Sequence, residues 1–168
     1  MSEPESKKTK FLVRAAEIAA MDQPSFSHPL NPHSQISGVR LSPLVGLQRV
    51  GLSLARVPPG KESFIFHAHQ TEEEFIYILS GRGLADIGEE TFQVGPGDFM
   101  GFPTPSVGHH LRNPFEEELV YLMGGESKSH EIADFPRVGK RLVRCGDQVE
   151  VYAVADKQPF WPRGSAPK

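Results

Sequence analysis

Cysteine is nearly absent: Cys145 is the single one in 168 residues. An internal disulfide framework and a cysteine-built zinc site are both excluded. Charge of one sign is also lacking, because 18 basic residues face 21 acidic ones for a net charge of −3. With both signs well mixed, neither a nucleic-acid nor a membrane-surface partner is expected. The polar opening "MSEPESKKTK" is followed by no long apolar run, so neither a signal peptide nor a membrane span is expected, and a cytoplasmic protein is. No serine-hydrolase elbow, nucleotide loop or repeat of 20 to 50 residues is present. The glycines of "SGRGLADIGEE" read as hairpin glycines, since no strand-loop-helix surrounds them.

What is abundant is punctuation. Sixteen glycines and fifteen prolines fall at short intervals, dividing the chain into short apolar runs. The runs "LQRVGLSLARV", "SFIFHAH", "EFIYIL", "GLADI", "TFQV", "FMGF", "VGHHLR", "ELVYLM", "KRLVRC" and "VEVYAV" read as strands. "GLADI" and "TFQV" form a hairpin about Gly88-Glu89, and "SFIFHAH" and "EFIYIL" are joined by "QTEE". This spacing predicts one all-β domain, an antiparallel sandwich or barrel. Residues 1–10 read as a disordered N-terminus and 11–38 as an irregular arm packing on the barrel or on a partner subunit. The β-barrel spans 39–158, and 159–168 is a C-terminal tail with Phe160 and Trp161 packing down. "FLVRAAEIAAMD" suits a short helical turn or an extended arm equally.

The chemistry gathers in "FHAHQTEEEF" and "GHHLRN". In a strand His67 and His69 project to one side, with Cα atoms about 6.6 Å apart, close enough to share one cation. A hairpin returning Glu74 beside them adds an oxygen, and His109 or His110 offers a further nitrogen. Alone, the two histidines also suit a solvent-facing hairpin, and three glutamates suit a solvated loop. Three imidazoles and a carboxylate suit manganese, iron, cobalt, nickel or zinc. They leave two octahedral positions for substrate, water or dioxygen.

The run of Gly60, six residues, His67-x-His69, four residues, Glu74, six residues and Gly81 is followed by Gly97-Asp98, Pro103, His109 and Asn113. This pattern resembles the two motifs of the cupin superfamily over about residues 44 to 125, most of all its compact single-domain (cupin type-2) proteins. Two loop lengths differ from the usual pattern, one before His67 and one in "PTPSVGH". The resemblance implies an antiparallel double-stranded β-helix (cupin barrel or jelly roll) with an extended N-terminal arm. It also implies His67, His69, Glu74 and His109 as ligands of one divalent metal (Mn, Fe, Ni, Co or Zn).

Strand alternation separates the adjacent histidines. His109 shares a face with Leu111 and Asn113, while His110 shares one with Arg112, whose guanidinium belongs in solvent.

Tyr77 and Cys145 read as packing residues, Tyr121 as a cavity-lining or a core residue, and His28 and His33 as exposed. Arg40, Arg49 and Arg56 are possible contacts for an anionic substrate. The expected function is a metalloenzyme (oxygenase, isomerase or decarboxylase) acting on a small oxygen-rich molecule such as a carboxylate, diketone or sugar derivative. A non-catalytic small-ligand sensor is one alternative. A sugar-phosphate isomerase is another, although the basic cluster it needs near the cavity mouth is not evident in the sequence. Open strand edges and the apolar residues of the arm predict a homodimer.

Overall fold

The structure is a computed structural model and describes residues 11–159. The expectations for residues 1–10 and for Phe160 and Trp161 fall outside the described residues. A single helical turn, α1 (Ala15–Ala19), opens the arm, with the Glu17 carboxylate accepting from the Arg14 amide at 2.7 Å. Fourteen strands follow among the described residues. β1 (Ser25–Phe26), β2 (Ile36–Arg40), β3 (Val50–Val57), β6 (Glu74–Ser80), β9 (Phe99–Phe102) and β11 (Leu119–Glu126) form a six-stranded antiparallel sheet in the order β1-β2-β3-β11-β6-β9. β4 (Lys61–Glu62), β10 (His109–Asn113), β7 (Gly83–Ile87) and β8 (Glu90–Val94) form a second sheet. β14 (Gln148–Ala153), β13 (Lys140–Cys145), β12 (His130–Phe135) and β5 (Ala68–His69) form a third. This is the antiparallel β jelly roll expected of the chain.

The inner faces follow strand alternation. Along β6, Ile76 and Ile78 are buried while Tyr77 and Leu79 stand exposed on the outer side. The packing role expected of Tyr77 is therefore incorrect. Ile76 and Ile78 join Val57, Leu111, Leu119 and Tyr121 in the main core, where each large aliphatic side chain contributes about 1.5–3 kcal/mol. A smaller core of Ile65, Ala133 and Phe135 lies under the third sheet. Gly81 sits at φ 74°, and a Cβ there would meet the Glu118 carbonyl oxygen at 2.1 Å. Gly125 lies opposite Glu74, where a Cβ would meet the Glu73 carbonyl oxygen at 2.2 Å. A side chain at Gly125 would thus push away the strand that carries Glu74.

Two expectations fail here. "SFIFHAH" and "EFIYIL" are not a hairpin: β5 pairs with β12, whereas β6 pairs with β11 and β9. The cause lies in Ile65 and Phe66, consecutive residues that are both buried. Ile65 enters the smaller core while Phe66 turns its ring edge to His110. Both sides of the segment between β4 and β5 are thus held by packing, and Ala68 and His69 pair with Asp134 and Ala133 of β12 instead of with β6. Cys145 is also exposed rather than packed. In addition, "HEIADF" forms the strand β12, which the apolar runs did not mark because Glu131 and Asp134 interrupt its pattern.

The arm packs on its own barrel from β1 onward. Phe26 lies 5.7 Å from the Phe64 ring, and His28, only part-exposed, lies edge-on to Phe135 at 5.5 Å. Asn31 donates to the Glu62 carboxylate and the Phe64 carbonyl oxygen.

Candidate metal centre

The segment before β5 lies alongside β10. Glu62 opposes Arg112, and further along His67 and His109 form an antiparallel bridge, each amide donating to the other's carbonyl oxygen at 3.1 and 2.8 Å. That exchange sets the two imidazoles side by side, with centroids 4.6 Å apart and planes tilted by 48°. His69 is held by its amide, which donates to Ser106 Oγ at 2.7 Å. Glu74 comes from β6 in the opposite sheet. Tertiary packing, not a hairpin, brings it to the histidines.

The resulting group is tight. Glu74 Oε2 lies 3.1 Å from His109 Nε2, 3.2 Å from His69 Nε2 and 3.7 Å from His67 Nε2. The Nε2 atoms of His67 and His69 are 3.1 Å apart. His67, His69, Glu74 and His109 each present one ligand-capable atom, all within 4.8 Å of one another. The structure thus brings together the four residues named from the resemblance.

Which nitrogen carries the proton follows from the far side of each ring. His67 Nδ1 faces the Ile65 carbonyl oxygen at 2.7 Å, and His109 Nδ1 faces the Val107 carbonyl oxygen at 3.0 Å. His69 Nδ1 faces Glu131 Oε1 at 3.2 Å. Carbonyl and carboxylate oxygens only accept, so each Nδ1 is the donor, and in the neutral tautomer that this selects each ring turns a bare Nε2 inward. In that tautomer three nitrogen lone pairs and a carboxylate oxygen converge, and they repel one another unless a proton or a cation lies between them. A bound cation removes that repulsion, and the donor set fits a divalent transition metal. Burial pushes the Glu74 carboxyl up, but the imidazoles of His109, His67 and His69 outweigh it and hold the group well below the usual carboxylate range. Burial also pushes His69 down, and there Glu74 and Glu131 prevail and raise it.

Two residues that sequence reasoning missed complete the site. Glu131, on β12, is 3% exposed and also accepts from the Gln70 amide at 3.1 Å and from Thr71 Oγ1. It fixes both the tautomer and the angle of His69, as carboxylates behind metal-binding histidines do. Phe102 stacks on His109 at 3.6 Å and 5°. It reaches that ring because Phe102 opposes Glu74 in the β6–β9 ladder. His69, Glu72 and Glu131 form a second group of ligand-capable atoms. Its carboxylates are already occupied, Glu72 by the Lys128 amide and Arg144, and Glu131 as described.

His110 differs from expectation. It does turn away from His109's partners, but into a buried layer and not into solvent. Its Nε2 lies 3.2 Å from Glu62, and Asp86, its cross-strand neighbour, lies 3.6 Å from Nδ1. Asp86 also accepts from Arg112, Arg137 and Thr91. Arg137 also lies over the ring of Phe66, which is edge-on to His110. That layer is what keeps Arg112 out of full solvent contact.

Three of the four ligand-capable residues, His67, His69 and Glu74, line a cavity of about 300 Å³, the lower end of the range for small-molecule sites. Its wall includes Arg40, Ser42, Ser53, Glu73, Met123 and Glu126. Of the arginines weighed from sequence, Arg40 is therefore at the site. Arg56 pairs with Glu118, and Arg49 is not part of the cavity wall.

Residues 53–125 match the Cupin domain family. An uncharacterised protein of Methanocaldococcus jannaschii is 42% identical over 62 residues, 37% of this chain and 48% of that relative. The match thus spans about half of that relative's length. The crystal structure of a candidate sugar phosphate isomerase from Acidithiobacillus ferrooxidans superposes with a TM-score of 0.87 and 35% identity, over 91% of this chain and 98% of that one. A sugar phosphate isomerase of the cupin superfamily from Silicibacter pomeroyi superposes with a TM-score of 0.73 and 21% identity, over 82% and 89% of the two chains. That second likeness is one of fold. Among the described residues no helix is long and apolar enough to cross a membrane.

Proposed function

The chain belongs to the cupin family, and from that premise we propose that it is a mononuclear metalloenzyme acting on a small sugar derivative. The observation that carries this reading is the convergence of three imidazole Nε2 atoms on one Glu74 oxygen, with His67, His69 and Glu74 on the wall of an open cavity. His67, His69, Glu74 and His109 would hold one manganese, iron, cobalt, nickel or zinc ion. When bound, such an ion supplies a Lewis acid for a hydroxyl or carbonyl oxygen of the substrate. The protein's own groups do the rest. Glu131 and the carbonyl oxygens of Ile65 and Val107 hold the three rings in one tautomer. Phe102 keeps His109 from turning. Phe64 and Met123 line the cavity with apolar surface. Glu73 is a cavity carboxylate whose side chain has no hydrogen-bond partner among the described residues. It is the group free to hold a proton beside the substrate.

Sugar-phosphate isomerisation is the preferred reaction, supported by the name of the 35%-identical Acidithiobacillus protein. The test is elemental analysis of the purified protein, followed by aldose–ketose interconversion monitored by NMR with the native metal loaded. One ion per chain and turnover are expected. Metal with dioxygen uptake instead would indicate an oxygenase, and metal without turnover a ligand sensor. No metal uptake would refute the reading.

A homodimer belongs to the same proposal. Tyr77, Leu79 and Phe99 stand exposed on the outer face of the six-stranded sheet, and Phe75 stacks on Phe99 at 6.0 Å. Contiguous apolar surface of this kind marks an interaction site. Light scattering should give twice the chain mass, with Phe99→Glu lowering it; a monomeric wild type refutes the pairing.

A further inference from the structure

We propose that Arg40 and Ser42 form an oxyanion subsite in the same cavity, so that the substrate carries a carboxylate or phosphate at the end remote from the metal. This rests on the metalloenzyme reading for what occupies the remainder of the cavity.

Register places Arg40 there. It opposes Ser53, Ser53 opposes Met123, and Met123 opposes Ile76. Residues opposite one another in an antiparallel ladder project to the same side. Arg40 therefore projects on the face that carries Ile76 and, two residues back, Glu74. Three strand spacings separate Arg40 from β6, about 14 Å along the sheet. Both nevertheless line one cavity. A ligand spanning them needs two polar ends.

The electrostatics agree. Arg40 is the one lysine or arginine among the described residues lining this cavity. Arg56, Arg82, Arg112, Arg137, Arg141 and Arg144 each close on a carboxylate. Arg40 has no such partner among the described residues, and its guanidinium is available. Two acidic groups of the wall already meet a cation, Glu72 at Arg144 and Glu126 at Lys128, and Glu74 belongs to the metal group. Glu73 remains, and it repels an anion from the β6 side towards Arg40.

Ser42 supplies the second, independent observation. It is 5% exposed and lines the cavity, and its Oγ is buried with no hydrogen-bond partner. Buried hydroxyls are nearly always paired, so an unpaired one calls for a ligand. A hydroxyl donor and a guanidinium from residues lining one cavity suit an anionic oxygen, and charge-assisted hydrogen bonds are the strong ones.

The test has two arms. In the first, metal-free protein is titrated with inorganic phosphate and followed by phosphorus NMR. Wild type should show saturable binding, with Arg40→Gln about tenfold weaker and Ser42→Ala weakened to a smaller extent. Equal binding by wild type and Arg40→Gln would overturn the subsite whatever the metal does. In the second arm, manganese-loaded protein is titrated calorimetrically with lactate, malate and 3-phosphoglycerate. These share a 2-hydroxy acid head and differ in a methyl, carboxylate or phosphate tail. Malate or 3-phosphoglycerate should bind about tenfold more tightly than lactate, and the tighter of the two identifies the anion. Arg40→Gln should abolish that preference while leaving lactate affinity and manganese content unchanged. A wild type that does not distinguish the three tails overturns the subsite. A chain that takes up no manganese refutes the metalloenzyme reading, and the first arm still decides the subsite.

Discussion

His109 and His110 are adjacent, nearly equally buried at 2% and 5% exposure, and set on the same strand, yet they belong to opposite kinds of polar cluster. On the inner side of β10, His109 meets His67, His69 and Glu74, three imidazoles and a carboxylate with no lysine or arginine closing on them. On the outer side, His110 lies among Glu62, Asp86, Arg112 and Arg137, where the two guanidinium groups close on Asp86 and Glu62 accepts from Asn31. The outer cluster is electrically closed by the protein itself. The inner one is left open for a cation. The difference teaches that counting buried histidines says little about a metal site. What decides is whether the far nitrogen of each ring is held by an acceptor, which forces the near one to be bare.

The sharpest break of this comparison is to exchange the two histidines' fates. Metal content after dialysis should fall from one ion per chain to nearly none in His109→Ala and in Glu74→Gln. The loss of affinity should exceed the roughly tenfold to hundredfold effect of altering an outer partner. His110→Ala should keep its metal. Retention in His109→Ala with loss in His110→Ala would reverse the assignment of the two faces.

The next effect falls on stability, and on the other cluster. Asp86→Asn leaves Arg112 and Arg137 without their shared carboxylate, and urea denaturation should show a loss of about 3 kcal/mol with metal content unchanged. Burial pushes the Asp86 carboxyl up, but Arg112, Thr91 and Arg137 outweigh it and hold it far below its usual value of 3.8. A carboxyl depressed in the folded state stabilises fully above its unfolded pKa and loses that contribution as pH falls through the folded one. The stability gap between wild type and Asp86→Asn should therefore be constant near neutrality and narrow below about pH 4. A gap that widens in acid would contradict the pairing.

The smallest effect separates a ligand from the residue behind it. Glu131→Gln keeps the shape but weakens the acceptor for His69 Nδ1. Metal affinity should fall about tenfold, the lower end for such partners, while the melting temperature of the metal-free protein changes little. An unchanged affinity would mean that Ser106 and packing alone fix the His69 ring.

Much of the inner cluster was legible in sequence, because its signals are local. His67 and His69 are two residues apart, Glu74 follows five later, and His109 stands in a motif-like run. The reasoning that placed Glu74 by a hairpin was nevertheless incorrect: Glu74 arrives from the opposite sheet. Glu131 was not legible, since it lies 62 residues from the ring it orients on a strand whose charges mask its alternation. Arg40 was named only as one of three arginines, and β-sheet register singled it out.

By itself, the sequence determined the all-β class, the turn positions and the four residues that meet at the inner cluster. Those depend on backbone preferences and on spacing within one or two strands. Only the tertiary structure decided that Glu131 backs His69, that Phe102 stacks on His109, that His110 is enclosed by Asp86 and Arg137, and that Arg40 shares a cavity with Glu74. Each of these pairs residues from distant strands. Their meeting depends on how three sheets pack around one core, which no local pattern encodes.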